Sequence, residues 1–313
     1  MARDLKGLLG ITLKGMGMGA ADVVPGVSGG TIAFISGIYE ELINSIKSIN
    51  FKALKVLFRE GPLSFWKFIN GNFLVALFLG IGISVVSLAR IIEYVLENQP
   101  VLIWSFFFGL IVASAWFVGK KITNWNAGKI ISVITGIAFA WYITSVTPAQ
   151  TPVSYWFIFL SGALAICAMI LPGISGSFIL LLLGKYQFVL NAVNGLKVDI
   201  IIIVGLGAVV GLLSFSNLLS WLLKKYHDMT IALLAGFMVG SLNKIWPWKI
   251  TVSTFIDSHG IEKPLVEKNV LPDTYQAVTS TDNHLLWAIL LAILGFLIIL
   301  LVEKFSESKT SQI

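Results

Sequence analysis

Apolar stretches of the roughly 20 residues needed to cross a hydrocarbon core recur along the whole chain, separated by short polar connections. They predict helical crossings at 73–96, 101–119, 130–146, 200–223, 229–246 and 285–302. Two further apolar segments are interrupted by a Pro-Gly-x-Ser-Gly sequence, which predicts paired arms at 7–24 with 29–46 and at 155–171 with 176–193. Proline lacks an amide donor, glycine frees the backbone, and Ser-Gly favours a new helix start, so a helix must stop and restart at each break. Re-entrant and spanning arms both satisfy this pattern.

The two breaks belong to a longer likeness. Setting Pro25 against Pro172 aligns PGVSGGTIAFISGIYEELIN with PGISGSFILLLLGKYQFVLN, and also pairs Gly37 with Gly184, Tyr39 with Tyr186 and Asn44 with Asn191. Downstream, LGIGISVVSLARIIEYVL aligns with LGAVVGLLSFSNLLSWLL, and the next crossings share Gly109 with Gly236 and Ser114 with Ser241. The predicted fold is therefore all-α: a polytopic membrane protein of two repeats, 1–146 and 147–313. Three crossings lie between the breaks, and an odd number turns the second repeat upside down, the inverted plan of many secondary transporters. The first repeat carries a basic segment at 51–70, read as interfacial, and the second an extramembrane loop at 249–284.

Composition supports a membrane protein, with 57% hydrophobic residues and 12% charged. The net charge of +6 orients the chain rather than attracting nucleic acid. With both termini in the cytoplasm, Lys47 to Lys67, then Lys120, Lys121 and Lys129, then Lys224 and Lys225, and finally Lys304 and Lys309 all face inward. Trp66, Trp104, Trp125, Trp156, Trp221 and Trp287 fall near segment ends, as an interfacial aromatic belt would. The start of the chain shows no small-residue cleavage site and is read as retained. Cys167 is the lone cysteine, excluding an intrachain disulfide and a cysteine metal cluster, and reads as a packing residue. No metal site or cofactor is expected.

A helix restarting within a membrane exposes amide donors that suit an anion. Ser28, Gly29, Gly30 and Thr31 in the first break, and Ser175, Gly176 and Ser177 in the second, add hydroxyls and close backbone approach suited to a phosphate oxygen. Ionisable groups at membrane depth are costly and mark function. Asp22, three residues before Pro25, is the candidate for coupling to a proton or sodium gradient, and its counterpart is Met169. Arg90, aligned with Asn217, could pair a phosphate or snorkel to the interface. Glu40, Glu41 and Lys185 read as a solvated helix face. The simpler alternative is that the breaks only kink helices for packing, since Gly and Ser are common at membrane helix contacts.

GMGMGAADVVPGVSGGTIAFISGIYEELI resembles the opening signature of the bacterial polyprenyl-phosphate translocases of the PopT type, and MILPGISGSFILLLLGKYQ resembles their second signature. The resemblance implies a flippase of the bacterial cytoplasmic (inner) membrane. It would return undecaprenyl phosphate, the lipid carrier of cell-wall glycans, from the outer to the inner leaflet. Pro25, Gly26, Ser28, Gly29, Gly30, Thr31, Pro172, Gly173, Ser175, Gly176 and Ser177 match the family motifs and are the implied substrate-binding positions. The expected partners are the lipid and the bilayer, with a homo-oligomer compatible with either. A small-anion transporter would share this architecture. Gly-x-Ser-Gly also fits an intramembrane serine hydrolase, but His227, His259 and His284 lie at segment ends or in loops, so neither serine has a general base beside it.

Overall fold

The computed structural model describes residues 4–23, 27–149, 151–256 and 262–310. The helices are α1 (Leu5–Val23), α2 (Gly29–Ile35), α3 (Tyr39–Ser48), α4 (Phe51–Glu60), α5 (Pro62–Phe68), α6 (Gly71–Asn98), α7 (Pro100–Lys120), α8 (Ala127–Ser145), α9 (Tyr155–Ile170), α10 (Gly176–Leu182), α11 (Tyr186–Asn194), α12 (Val198–Lys225), α13 (His227–Ser241), α14 (Pro272–Thr279) and α15 (Leu285–Thr310), of which α4, α5 and α14 lie outside the predicted apolar stretches. Prolines at the first turn start α5, α7 and α14, where a missing amide costs nothing. The Asn126 side chain caps α8 by accepting from Lys129 N at 3.0 Å. Among the described residues, four helices contain stretches apolar and long enough to cross a membrane, at Gly71–Leu88, Pro100–Lys120, Ala127–Ser145 and Val198–Lys225.

Four helix pairs make the bundle, and all four are seamed by small residues. A Cβ on Gly15 would overlap Leu77 O and one on Gly80 would overlap Thr12 O, so α1 and α6 touch backbone to backbone. Gly19 meets Ile81 four residues further along both helices, so the two run parallel. The same contact joins α9 to α12 through Gly162, Gly207 and Gly211, α8 to α13 through Gly136, Gly236 and Gly240, and α7 to α15 through Gly109 and Gly295. Such close approach is how helices associate in an apolar solvent that offers no hydrophobic driving force between them. Cys167 packs in the α9–α12 seam, its Sγ 3.6 Å from Gly211 O, as a packing residue should.

The last two pairs are built alike. Gly109 faces Ala292 O where Gly236 faces Val133 O, and Gly295 faces Phe106 O where Gly136 faces Leu233 O. Each pair thus takes one helix from the first half of the chain and one from the second.

Three expectations need correcting. The fold is not purely α, because part of 249–284 forms an antiparallel hairpin, β1 (Lys249–Ile256) with β2 (Glu262–Asn269), followed by α14. This hairpin is anchored: Trp248 donates from Nε1 to Asn283 O at 2.8 Å and packs with Val101 and Ala288 at the starts of α7 and α15. The crossing expected at 229–246 is helical only to Ser241. Its 15 residues rise about 22 Å at roughly 1.5 Å each, short of the ~30 Å hydrocarbon core. Asn243 and Lys244, polar and bonded to neighbouring elements, follow where more helix was expected.

The arms after the breaks are the third correction, since each is two helices rather than one. Gly37 (φ 71°) ends α2 and Gly184 (φ 61°) ends α10, left-handed positions that glycine adopts without strain. Ile38 N reaches back to Ala33 O and Lys185 N to Leu180 O, completing matched Schellman caps. The chain then bends by 111° between α10 and α11. The position after each cap glycine buries its side chain, so Lys185 is as buried as Ile38, both at 2% exposure, rather than lying on a solvated face. Its ammonium escapes by donating to Thr151 O at 2.7 Å.

Candidate functional site

Pro25 and Gly26 lie outside the described residues; the rest of the two breaks come together. Helix α9 ends at Ile170 because Leu171 turns extended and Pro172 supplies no amide, which leaves the carbonyls of Met169 and Ile170 without helical partners. Hydroxyls from the first half of the chain fill both. Ser28 Oγ donates to Met169 O at 3.1 Å, and Tyr39 Oη donates to Ile170 O at 3.1 Å. In return Gly173 N donates to Thr31 Oγ1 at 3.0 Å. Gly30 is required by this contact, since a Cβ there would stand 2.6 Å from Ile170 O. Gly173 holds φ 88° and would press a Cβ to 2.8 Å from Ser241 Oγ. Ser28 and Thr31 are fully buried.

The two breaks differ chemically. In the first, the amides that open α2 are already filled: Gly29 N donates to Asp22 Oδ1 at 2.7 Å, and Gly30 N donates to Ser28 Oγ at 3.1 Å. Asp22 therefore brings its own carboxylate to the place where a ligand anion was expected. A Cβ on Gly29 would fall 2.5 Å from Asp22 Oδ2, so glycine is what lets the acid approach. In the second break, Ser175 precedes α10 without a side-chain bond to its amides, and its hydroxyl pairs instead with Ser177 Oγ at 2.7 Å. Met169, at the position equivalent to Asp22, brings no acid there. Ser175 is buried, while Gly176 and Ser177 are half-buried.

Arg90 is exposed on α6 and is not among the groups gathered at the breaks. Glu40, exposed as expected, pairs with His227 Nε2 at 3.0 Å, and Glu41 accepts from Asn70 Nδ2 at 2.9 Å. Neither described histidine approaches a motif serine: His227 is held between Glu40 and Asp228, and His284 stands beside Asp282. His259 lies outside the described residues. Tyr39 was visible in the sequence only as an aligned tyrosine; that it closes the gap left by the other break is a fact of packing.

Residues 18–263 match the model of the undecaprenyl phosphate translocase-like (VCA0040-like) family. The chain belongs to that family. A polyprenyl-phosphate transporter of Vibrio cholerae serotype O1 is 47% identical over 307 residues, covering 98% of this chain and all of the relative. A second, from Staphylococcus aureus, is 33% identical over 273 residues, covering 78% of this chain and 91% of the relative. Family and relatives alike are transporters rather than enzymes. No solved structure matches the chain. The family match spans both breaks, the six residues joined across them included.

Proposed function

We propose that this protein is a flippase that moves undecaprenyl phosphate, or a related polyprenyl phosphate, from the outer to the inner leaflet of the bacterial cytoplasmic membrane, recycling the carrier lipid of cell-wall glycan synthesis. The observation that carries the proposal is the meeting of the two breaks, Ser28 on Met169 O and Thr31 on Gly173 N, in a chain whose relatives are named as polyprenyl-phosphate transporters. Carrying a charged phosphate through hydrocarbon is the barrier to be lowered. Hydroxyls and amides at the second break, which Ser175 leaves uncapped, would replace its water while the prenyl tail stays in lipid. The uncapped second break, Ser175 to Ser177, is the open half of this path, and the first is held by Asp22.

The reading carries the inverted repeat with it. Support comes from the matched seams, in which α7 pairs with α15 as α13 pairs with α8, and from the matched Gly37 and Gly184 caps. Each α1–α2 and α9–α10 pair then acts as a re-entrant arm. Both termini are cytoplasmic in this arrangement. The basic loops gather at one end of the bundle, where Lys47 Nζ donates to Ser220 Oγ and Lys129 pairs with Asp228 at 2.6 Å, and the hairpin caps the outer end.

Proteoliposomes carrying labelled polyprenyl phosphate are expected to show leaflet exchange that protein-free vesicles lack. Uptake of inorganic phosphate without lipid exchange would favour a small-anion transporter instead. For coupling, Asp22→Asn is expected to lose the dependence of transport on a proton or sodium gradient, and full retention would remove Asp22 from that role.

A further inference from the structure

Beneath the hairpin lies a cavity of about 230 Å³. Lys244, Lys249 and Glu267 line it on the hairpin side, and Ser145, Phe178 and Leu182 on the bundle side. Glu267 Oε2 is shared by two ammoniums, 3.1 Å from Lys244 Nζ and 3.8 Å from Lys249 Nζ. Among the described residues neither lysine has a second carboxylate, so one positive charge of the cluster is left over. Lys249 is the sharper anomaly. Its side chain is 6% exposed, and its Nζ, lying 3.6 Å from the centroid of the Trp104 ring, has no hydrogen-bond partner among the described residues.

A buried ammonium with three unused donors is expensive, and the ring offsets only part of that cost. Trp104 is itself buried beneath this lysine. The part of the opposite wall that α10 supplies is apolar. Phe178 and Leu182 belong to α10, the helix that begins at Ser175 and Ser177, so a single short helix joins this cavity to the uncapped break.

We propose that this cavity is a docking site for a phosphomonoester, with Lys249 and Lys244 binding the phosphate and the α10 wall of Phe178 and Leu182 receiving the first prenyl units. It rests on the lipid-phosphate reading above and adds a separate outer station, from which the head group passes along α10 to the break. A phosphomonoester carries a charge of roughly −1.5 to −2 near neutral pH, and once it displaces Glu267 it would face both lysines and hold the Lys249 ammonium charged. The carboxylate is thus a competitor for the site.

Full-length protein in detergent tests this by calorimetric titration with geranyl phosphate and, separately, with inorganic phosphate. Geranyl phosphate is expected to bind the wild type, to lose at least about tenfold in affinity in Lys249→Met, and to gain affinity in Glu267→Gln. Folding of Lys249→Met is checked by its thermal midpoint, which should hold or rise because a buried ammonium without hydrogen bonds is removed. Equal affinity of wild type and a folded Lys249→Met overturns the site. Inorganic phosphate binding as tightly as geranyl phosphate overturns its assignment to a lipid head. If binding follows this pattern while proteoliposomes show no lipid exchange, the docking site stands and the flippase reading falls.

Discussion

At single residues, the site depends on atoms that are absent. Gly173 combines a left-handed backbone with contact to Ser241, so Gly173→Ala carries about 1–2 kcal/mol of backbone strain plus the clash. It should lower the SDS concentration at which the protein unfolds in detergent, and an unchanged midpoint would contradict the contact. Lys249 gives a pH dependence. Burial is the main cause that pulls its ammonium down to about 7, with Lys244 adding to the effect and Glu267 opposing it. The unfolded chain keeps the ordinary, higher lysine value, so it binds more protons than the folded one above about 7. Stability should therefore rise with pH from about 7 toward the ordinary lysine range, and Lys249→Met should flatten that rise. Glu267 acts in a different window. Although burial alone would raise it, Lys249 and Lys244 hold its carboxyl below the usual range, so its contribution is lost only as the solution turns acidic.

Among elements, the seams decide which glycines are structural. Gly207→Leu places side-chain atoms where Phe159 O already stands, whereas a Cβ on Gly205, in the same helix α12, would have nothing within 4 Å. Gly207→Leu should cost several kcal/mol or prevent folding, by overpacking a closed contact. Gly205→Ala should be neutral or stabilising by up to about 1 kcal/mol. Comparing the fraction of folded protein after detergent extraction separates the two. The sequence showed both glycines in one apolar stretch but not which face would meet a neighbour, since helix direction and partner come from the bundle. The breaks were legible because Pro-Gly-x-Ser-Gly is local backbone chemistry. The caps at Gly37 and Gly184 were visible only as an aligned pair, and the hairpin at 249–269 was hidden because its short strands carry charges and a proline, Pro264, amid a segment that reads as a polar loop.

Across the whole molecule, the two breaks meet through buried polar contacts between the half-chains. What the sequence could not supply was the asymmetry of that meeting: Asp22 was legible as an unusual acid, but not that it would bond Gly29 N and occupy the first helix start. The sidedness of the bundle is open to labelling. Cysteines placed at Lys268 and Lys120 in a Cys167→Ser background should react with impermeant reagents from opposite sides of the membrane, and labelling from one side would refute the arrangement. The phosphate path itself is tested most directly by the rate at which labelled polyprenyl phosphate changes leaflets in proteoliposomes made with the Ser28→Ala, Ser175→Ala double variant. A fall of at least about tenfold against wild type, roughly the loss of one or two hydrogen bonds to a charged group, is the expected result. Lipid exchange at the wild-type rate by the folded double variant would contradict the claim that the two breaks form the path.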